Sequence, residues 1–211
     1  MQVQCQVFSP GDLSKSTGGE RLAIMKRRRR AREPMLRRSD SGFSNHRSTT
    51  MQAIKKTPEH AWLQQLVGDW SGEGRCSMGP DQPEQTWTID EHVRAIGDIW
   101  VQCESHGQMP DGSPSVMLIT LGYDPDKQRF SGTFVGSMMT HLWIYDGGLD
   151  PSGRILTLDA EGPSMTGDGT LAKYQDIVEL CGEDERNLSS QIQLPDGTWQ
   201  QFMSTRYRRK P

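Results

Sequence analysis

Residues 118–149 read LITLGYDPDKQRFSGTFVGSMMTHLWIYDGGL. Three short segments in and around this stretch, Val116–Leu121, Arg129–Val135 and Leu142–Tyr145, are rich in β-branched, aromatic and large apolar residues. Asp124-Pro125-Asp126-Lys127 between the first two is a turn by composition, because proline presets its backbone angle and aspartate bonds its own neighbouring amides. Gly147-Gly148 after the third reads as the next break. The stretch is therefore three antiparallel strands in series, with no room for a crossover helix.

Working outward, the same rhythm continues on both sides. Thr86–Ile96 alternates, with Trp87, Ile89, Glu91, Val93 and Ala95 on one face and Thr88, Asp90, His92 and Arg94 on the other. Gly97-Asp98 reads as a two-residue turn, after which Ile99–His106 returns. Downstream, Ile155–Asp159, Ala172–Leu180, Leu188–Leu194 and Trp199–Arg208 are separated by Asp150-Pro151-Ser152-Gly153, a longer loop at 163–169, and Pro195-Asp196-Gly197. With an early strand after Trp70, that gives about nine or ten short strands joined by tight turns. The pattern predicts an all-β antiparallel meander, closed into a barrel or folded as a sandwich. One short helix precedes it: Thr57 as N-cap, Pro58 in the first turn, Glu59 beside it, then Trp62, Leu63, Leu66 and Val67 on one stripe and Gly68 at the end.

The chain of 211 residues carries 22 Gly, 12 Pro and only 33% apolar residues, which suits a turn-rich β domain with one modest core. Its net charge of −3 conceals an asymmetry. Residues 1–50 hold 11 Lys and Arg against 4 Asp and Glu, and the remainder holds 13 against 23. Residues 1–56 read as a basic, disordered extension, with Met51 a candidate alternative start, and residues 57–209 as the folded domain. An acidic body argues against nucleic acid as a partner for the barrel. No apolar run is long enough for a membrane helix. Cys5, Cys76, Cys103 and Cys181 form no Cys-x-x-Cys pair and read as free thiols, which together with the lack of an export signal predicts a cytoplasmic protein.

The motifs of hydrolase nucleophile elbows, phosphate loops and zinc proteases are missing, and no metal set or cofactor is predicted. The first hairpin offers the sharpest chemistry. With a two-residue turn, Glu91 opposes Glu104 and Ile89 opposes His106, so two carboxylates and an imidazole share a face with Trp87 and Trp100. If that face is interior, a Glu91/Glu104/His106 acid–base cluster could support catalysis. If it points outward, the pair is simply solvated. His92 opposite Cys103 lacks a third ligand. Tyr123, His141 and Trp143 are further candidates for lining a cavity mouth, with Met138 and Met139 supplying an adaptable apolar surface.

Several of these segments together resemble a known family. They are Leu66-Val67-Gly68-Asp69-Trp70, Leu121-Gly122-Tyr123-Asp124-Pro125, Ser137-Met138-Met139-Thr140, Leu142-Trp143, Tyr145-Asp146-Gly147 and Tyr207-Arg208. The family is a bacterial domain-of-unknown-function group of lipocalin-like (calycin superfamily) proteins, and the resemblance runs from Thr57 to Arg209. It implies an up-and-down barrel behind a short helix, with an interior suited to a small apolar or amphipathic molecule. It carries no activity with it. Phe134 and Gly136 depart from the family pattern, which tends to Trp and Asp there. Some related barrels hold haem through a histidine near the C-terminus, but no histidine follows His141 here, so haem held in that way is not expected. The expectation is a non-catalytic barrel with ligand candidates Glu91, Glu104, His106, Tyr123, His141 and Trp143; the alternatives are an enzyme built on the Glu/Glu/His cluster, or a structural domain forming a homodimer.

Overall fold

In the computed structural model, which describes residues 55–77, 83–109 and 111–211, every strand pairs with its sequence neighbour and the last pairs with the first. The elements are α1 (Pro58–Gln64), β1 (Gly68–Cys76), β2 (Gln85–Ile96), β3 (Trp100–Gln108), β4 (Pro114–Asp124), β5 (Arg129–Gly136), β6 (Trp143–Leu149), β7 (Ile155–Pro163), β8 (Leu171–Leu180), β9 (Glu185–Gln193) and β10 (Trp199–Arg209). They close as a ten-stranded antiparallel up-and-down barrel, the fold class the sequence predicts. Alternation sets the inside. Trp70, Ile89, Glu91, Val93, Val101, Cys103, Phe130, Phe134, Leu156 and Leu158 are buried while their neighbours face out. The basic segment, except Lys55 and Lys56, lies outside the described residues.

The helix seals one end. Its predicted start holds: the Thr57 backbone N–H donates to Nδ1 of His60 at 3.0 Å, a reciprocal capping arrangement. His60 Nε2 then lies 3.2 Å from the Tyr123 carbonyl on β4. Trp62 donates from Nε1 to the Gly153 carbonyl at 2.9 Å and meets Phe130 edge-on. Arg209 ends β10 as a clamp rather than a solvated tail. Its guanidinium donates to the carbonyls of Val67 (2.6 Å) and Gln65 (2.9 Å) and lies over the Trp70 ring.

Two local expectations fail. The first hairpin turns through three residues, Gly97–Ile99, with Gly97 at φ +61°. The register is therefore Ile96↔Trp100, Glu91↔Ser105, Val93↔Cys103 and His92↔Glu104, one residue from the predicted pairing. The reason lies in β3. Its phase Val101, Cys103, Ser105 is far less polar than Trp100, Gln102, Glu104, His106, and only the former can enter the interior without setting two carboxylates against each other there. Second, Gly147-Gly148 is no turn but part of β6, which runs on to Leu149. A Cβ at Gly147 would lie 2.4 Å from the Thr157 carbonyl oxygen, so glycine permits the close approach of β7. Cys103 and Cys181 are free, whereas Cys76 is disulfide-bonded, which corrects the free-thiol reading at that position; Cys5 lies outside the described residues.

Candidate functional site

Inside the barrel, charged residues occupy inward positions. Glu91 and Arg186 form an ion pair, their side chains 3% and 4% exposed. Ser105 donates its hydroxyl to Glu91 at 2.7 Å. The Arg186 guanidinium lies 4.2 Å from the centre of the Tyr207 ring and 4.8 Å from that of Trp70, the stacking a planar cation favours. Burial alone would lower the affinity of Arg186 for its proton, but the overall direction is upward, with the Glu91 carboxylate the chief opposing influence, so the cation is held. Burial, with Glu91 adding to it, pushes the Tyr207 phenol and the Cys103 thiol well up, so both stay protonated. Charge is thus balanced inside this cluster.

A second buried group, Asp176 on β8, is not balanced in this way. It accepts from the Tyr145 hydroxyl and from the Ser190 hydroxyl, one on each oxygen. Burial, then the charge of Asp176, raises Tyr145 well above the ordinary phenol range and keeps it a donor. Among the described residues no lysine, arginine or histidine forms an ion pair with Asp176. Asp176 and Tyr145 face a small cavity of about 20 Å³, walled further by Phe134, Trp143, Ala160, Tyr174 and Phe202.

Next to this cavity the wall parts. The β6–β7 ladder holds only four pairs, Asp146↔Asp159 through Leu149↔Leu156. Beyond them Trp143–Tyr145 stays with β5 while Ala160–Pro163 stays with β8. The Trp143 ring occupies the space over Gly162, where an added Cβ would come within 2.2 Å of it. His141 Nε2, 3.2 Å from the Glu161 carbonyl, spans the gap. The rings of His141, Trp143 and Tyr174 meet edge-on in sequence, at 5.0 and 5.1 Å. Outside the gap lies a cleft of about 660 Å³. Leu142, Ile144, Leu171 and Trp199 form its apolar side and His141, Asp159, Glu161, Lys173 and Gln193 its polar side. Leu142, Ile144 and Leu171 are 50, 66 and 65% exposed, more than any other large apolar residue described. The cleft shares Ala160 and Tyr174 with the inner cavity, so the two are separated by one layer of side chains.

The residues singled out from sequence scatter over this architecture. Glu91 is inside, paired with Arg186. Glu104 and His106 lie on the outer face of β3, bonded to each other at 2.8 Å, so the Glu/Glu/His cluster does not assemble. Tyr123 is half-buried at the helix end, its ring against His60 and Phe130. Only His141 and Trp143 come together at the cleft. Sequence reasoning passed over Asp176, Arg186 and Tyr145. A signal was available: Asp176 shares an alternation phase with Tyr174 and Val178, and Arg186 with Leu188 and Ile192, so each is a charge in an apolar phase. Among the described residues no three His, Cys, Asp or Glu side chains are grouped to hold a metal, and no helix is long and apolar enough to cross a membrane.

A family model described as "Protein of unknown function (DUF1579)" matches residues 55–209. Among solved structures, Rv2717c from M. tuberculosis is similar at 15% identity and a TM-score of 0.52, over 74% of this chain and all of that one. The S-type phycobiliprotein lyase CPES from Guillardia theta aligns at 13% identity and a TM-score of 0.45, over 74% of this chain and 94% of that chain. A redesigned β-barrel aligns at 13% identity and a TM-score of 0.39, over 71% and 95%. At such identities the likeness speaks to the fold alone. No curated protein matches the chain.

Proposed function

The chain belongs to the DUF1579 family of proteins of unknown function, so its role has to be argued from its own surface, and we propose that it binds a small amphipathic molecule at the β6–β7 cleft without chemical turnover. One observation carries this reading: the most exposed large apolar side chains described gather where the barrel wall parts. A cleft of about 660 Å³ is of the size that small-molecule sites take, with an apolar lining and a few polar groups. We place the site at the wall, where these apolar side chains lie open, with the small cavity beside Asp176 behind it. Covering Leu142, Ile144 and Leu171 would contribute several kcal/mol, at about 1.5–3 kcal/mol per side chain fully buried. After the cost of association that is consistent with affinity of micromolar order.

The test is titration with the neutral apolar fluorophore N-phenyl-1-naphthylamine. One molecule per barrel should bind, and Ile144→Glu and Leu171→Glu should each weaken binding by about tenfold or more while leaving the melting temperature within a few degrees. Saturable binding that both variants retain at full strength would place the site elsewhere, and no binding at all would remove the proposal.

A further inference from the structure

The cleft reading leaves open what polar end its ligand carries. We infer that the inner cavity beside the cleft is a site for a primary ammonium group, so that the ligand is an amphipathic amine whose apolar part lies in the cleft and whose cationic head reaches Asp176. This rests on the cleft as the point of entry and goes beyond it in naming the head group.

Three features support it. First, the cavity is walled by the rings of Phe134, Trp143, Tyr145, Tyr174 and Phe202. Rings present electron-rich faces and attract cations, increasingly so where water is excluded. Second, Asp176 lines that cavity at 8% exposure. Its two hydroxyl donors, Tyr145 and Ser190, hold both oxygens in place but bring no positive charge. The contrast with Glu91 is informative, since that carboxylate has Arg186 against it in the same interior. A carboxylate in a poorly hydrated interior gains most from a cation that can also donate hydrogen bonds. Third, about 20 Å³ is room for one water-sized group. An –NH₃⁺ head meets that limit; a carboxylate or a trimethylammonium does not. An anionic head would in addition face Asp176 directly.

The route agrees with this. Cleft and cavity share Ala160 and Tyr174, and Ala160 is the smallest side chain of the partition. Glu161 and Asp159, the latter 3.8 Å from the Arg129 guanidinium that it shares with Asp146, stand beside Lys173 at the mouth, and the chain beyond residue 50 carries 23 acidic against 13 basic residues. A cation is therefore drawn toward the opening. The same mouth acids supply the rival explanation of any amine preference, and the experiment must tell the two apart.

Isothermal titration calorimetry at pH 7 with n-octylammonium, n-octanol and octanoate does so. All three share a tail and differ in the head. The expected result is that octanol binds, octylammonium binds about tenfold or more tightly, and octanoate binds more weakly than octanol. Asp176→Asn should abolish the advantage of the amine and leave octanol unchanged. Ala160→Val, which enlarges the partition and leaves the Asp176 carboxylate in place, should likewise abolish the amine advantage, read as the octylammonium-to-octanol affinity ratio within the variant, and it serves as the second variant should Asp176→Asn fold poorly. If octanol binds and octylammonium binds no better, the ammonium site is wrong and the cleft stands. If the amine advantage survives both variants but disappears in Asp159→Asn/Glu161→Gln, the cation is held at the mouth and the inner site is wrong. If none of the three binds, the cleft reading fails and this inference with it.

Discussion

Replacing Arg186 with methionine tests whether the Glu91–Arg186 pair is a structural unit. Both side chains are almost wholly buried. Without the guanidinium, Glu91 keeps the Ser105 hydroxyl at 2.7 Å and the neighbouring Tyr207 phenol, but no positive charge. Breaking a buried pair from one side costs about 3–5 kcal/mol, because the remaining ion is left uncompensated. Stacking on Trp70 and Tyr207 is lost as well, at about 0.5–2 kcal/mol, partly recovered by the methionine sulfur against the same rings. Out of a total stability of about 5–15 kcal/mol the loss is severe. With an m-value of about 2 kcal/mol/M the urea midpoint should fall by about 1.5–2.5 M, followed by tryptophan fluorescence. Glu91→Leu alone leaves a buried unpaired guanidinium and should cost a similar amount. The double variant removes both charges and should lie within about 2 kcal/mol of the parent, giving a coupling of at least about 3 kcal/mol where independent sites add to within about 0.5. Additive losses, or a single substitution costing under about 1 kcal/mol, would refute the view that the two charges act as one desolvated unit.

Alkaline pH should destabilise the barrel through the same interior. Tyr145 and Tyr207 have raised folded values, chiefly from burial, so the stability they confer is complete below the unfolded phenol value of about 10 and is lost as pH rises above it. Absorbance at 295 nm should show at least two of the four tyrosines ionising only with unfolding; four ionising together near pH 10 in folded protein would contradict the burial of Tyr145 and Tyr207. Gly162→Ala sets a Cβ within 2.2 Å of the Trp143 ring, and should cost about 1–3 kcal/mol and shift tryptophan emission. A variant with parental stability and spectrum would show that the ring does not rest there.

How much of this was legible depends on the range of the forces involved. The helix start at Thr57-Pro58 is decided within four residues, and sequence shows it. The strands follow from alternation, which is also local. The hairpin register is not local in that sense. Gly97-Asp98 suits a two-residue turn, but a three-residue loop wins because it sends Val101, Cys103 and Ser105 inward and keeps Glu104 and His106 in water. The cost of burying those side chains is paid far from the turn that adjusts to it. His141 and Trp143 are legible because they lie two residues apart, just before and at the start of β6. Asp176 and Arg186 meet partners 31 and 95 residues away, and only their misplaced polarity in an apolar phase marks them. The parting of β6 from β7 has no such mark. Trp143-Ile144-Tyr145 is good strand sequence, and pairing stops because the indole occupies space over Gly162 on the neighbouring strand.

The same contrast separates the two ends of the barrel by how their side chains are held. At the helix end, the buried indole N–H groups have carbonyl acceptors: Trp62 on Gly153 at 2.9 Å and Trp70 on Leu66 at 2.8 Å. Arg209 ties the last strand to the helix exit through two further carbonyls. Opening that end would break charge-assisted and neutral hydrogen bonds together and strand the donors in an apolar core. At the cleft end, Trp143 donates to the Met139 sulfur at 2.9 Å, a weak acceptor, and its other contacts are ring edges and a glycine. Moving that indole therefore forfeits little hydrogen-bond energy, and Met138 and Met139 can repack behind it. The Glu91–Arg186 pair belongs to the helix end, its guanidinium stacked on Trp70. On the reading proposed above, the wall beside Trp143 is the segment that would yield to a ligand, since the β6–β7 ladder holds only four pairs and stops short of it.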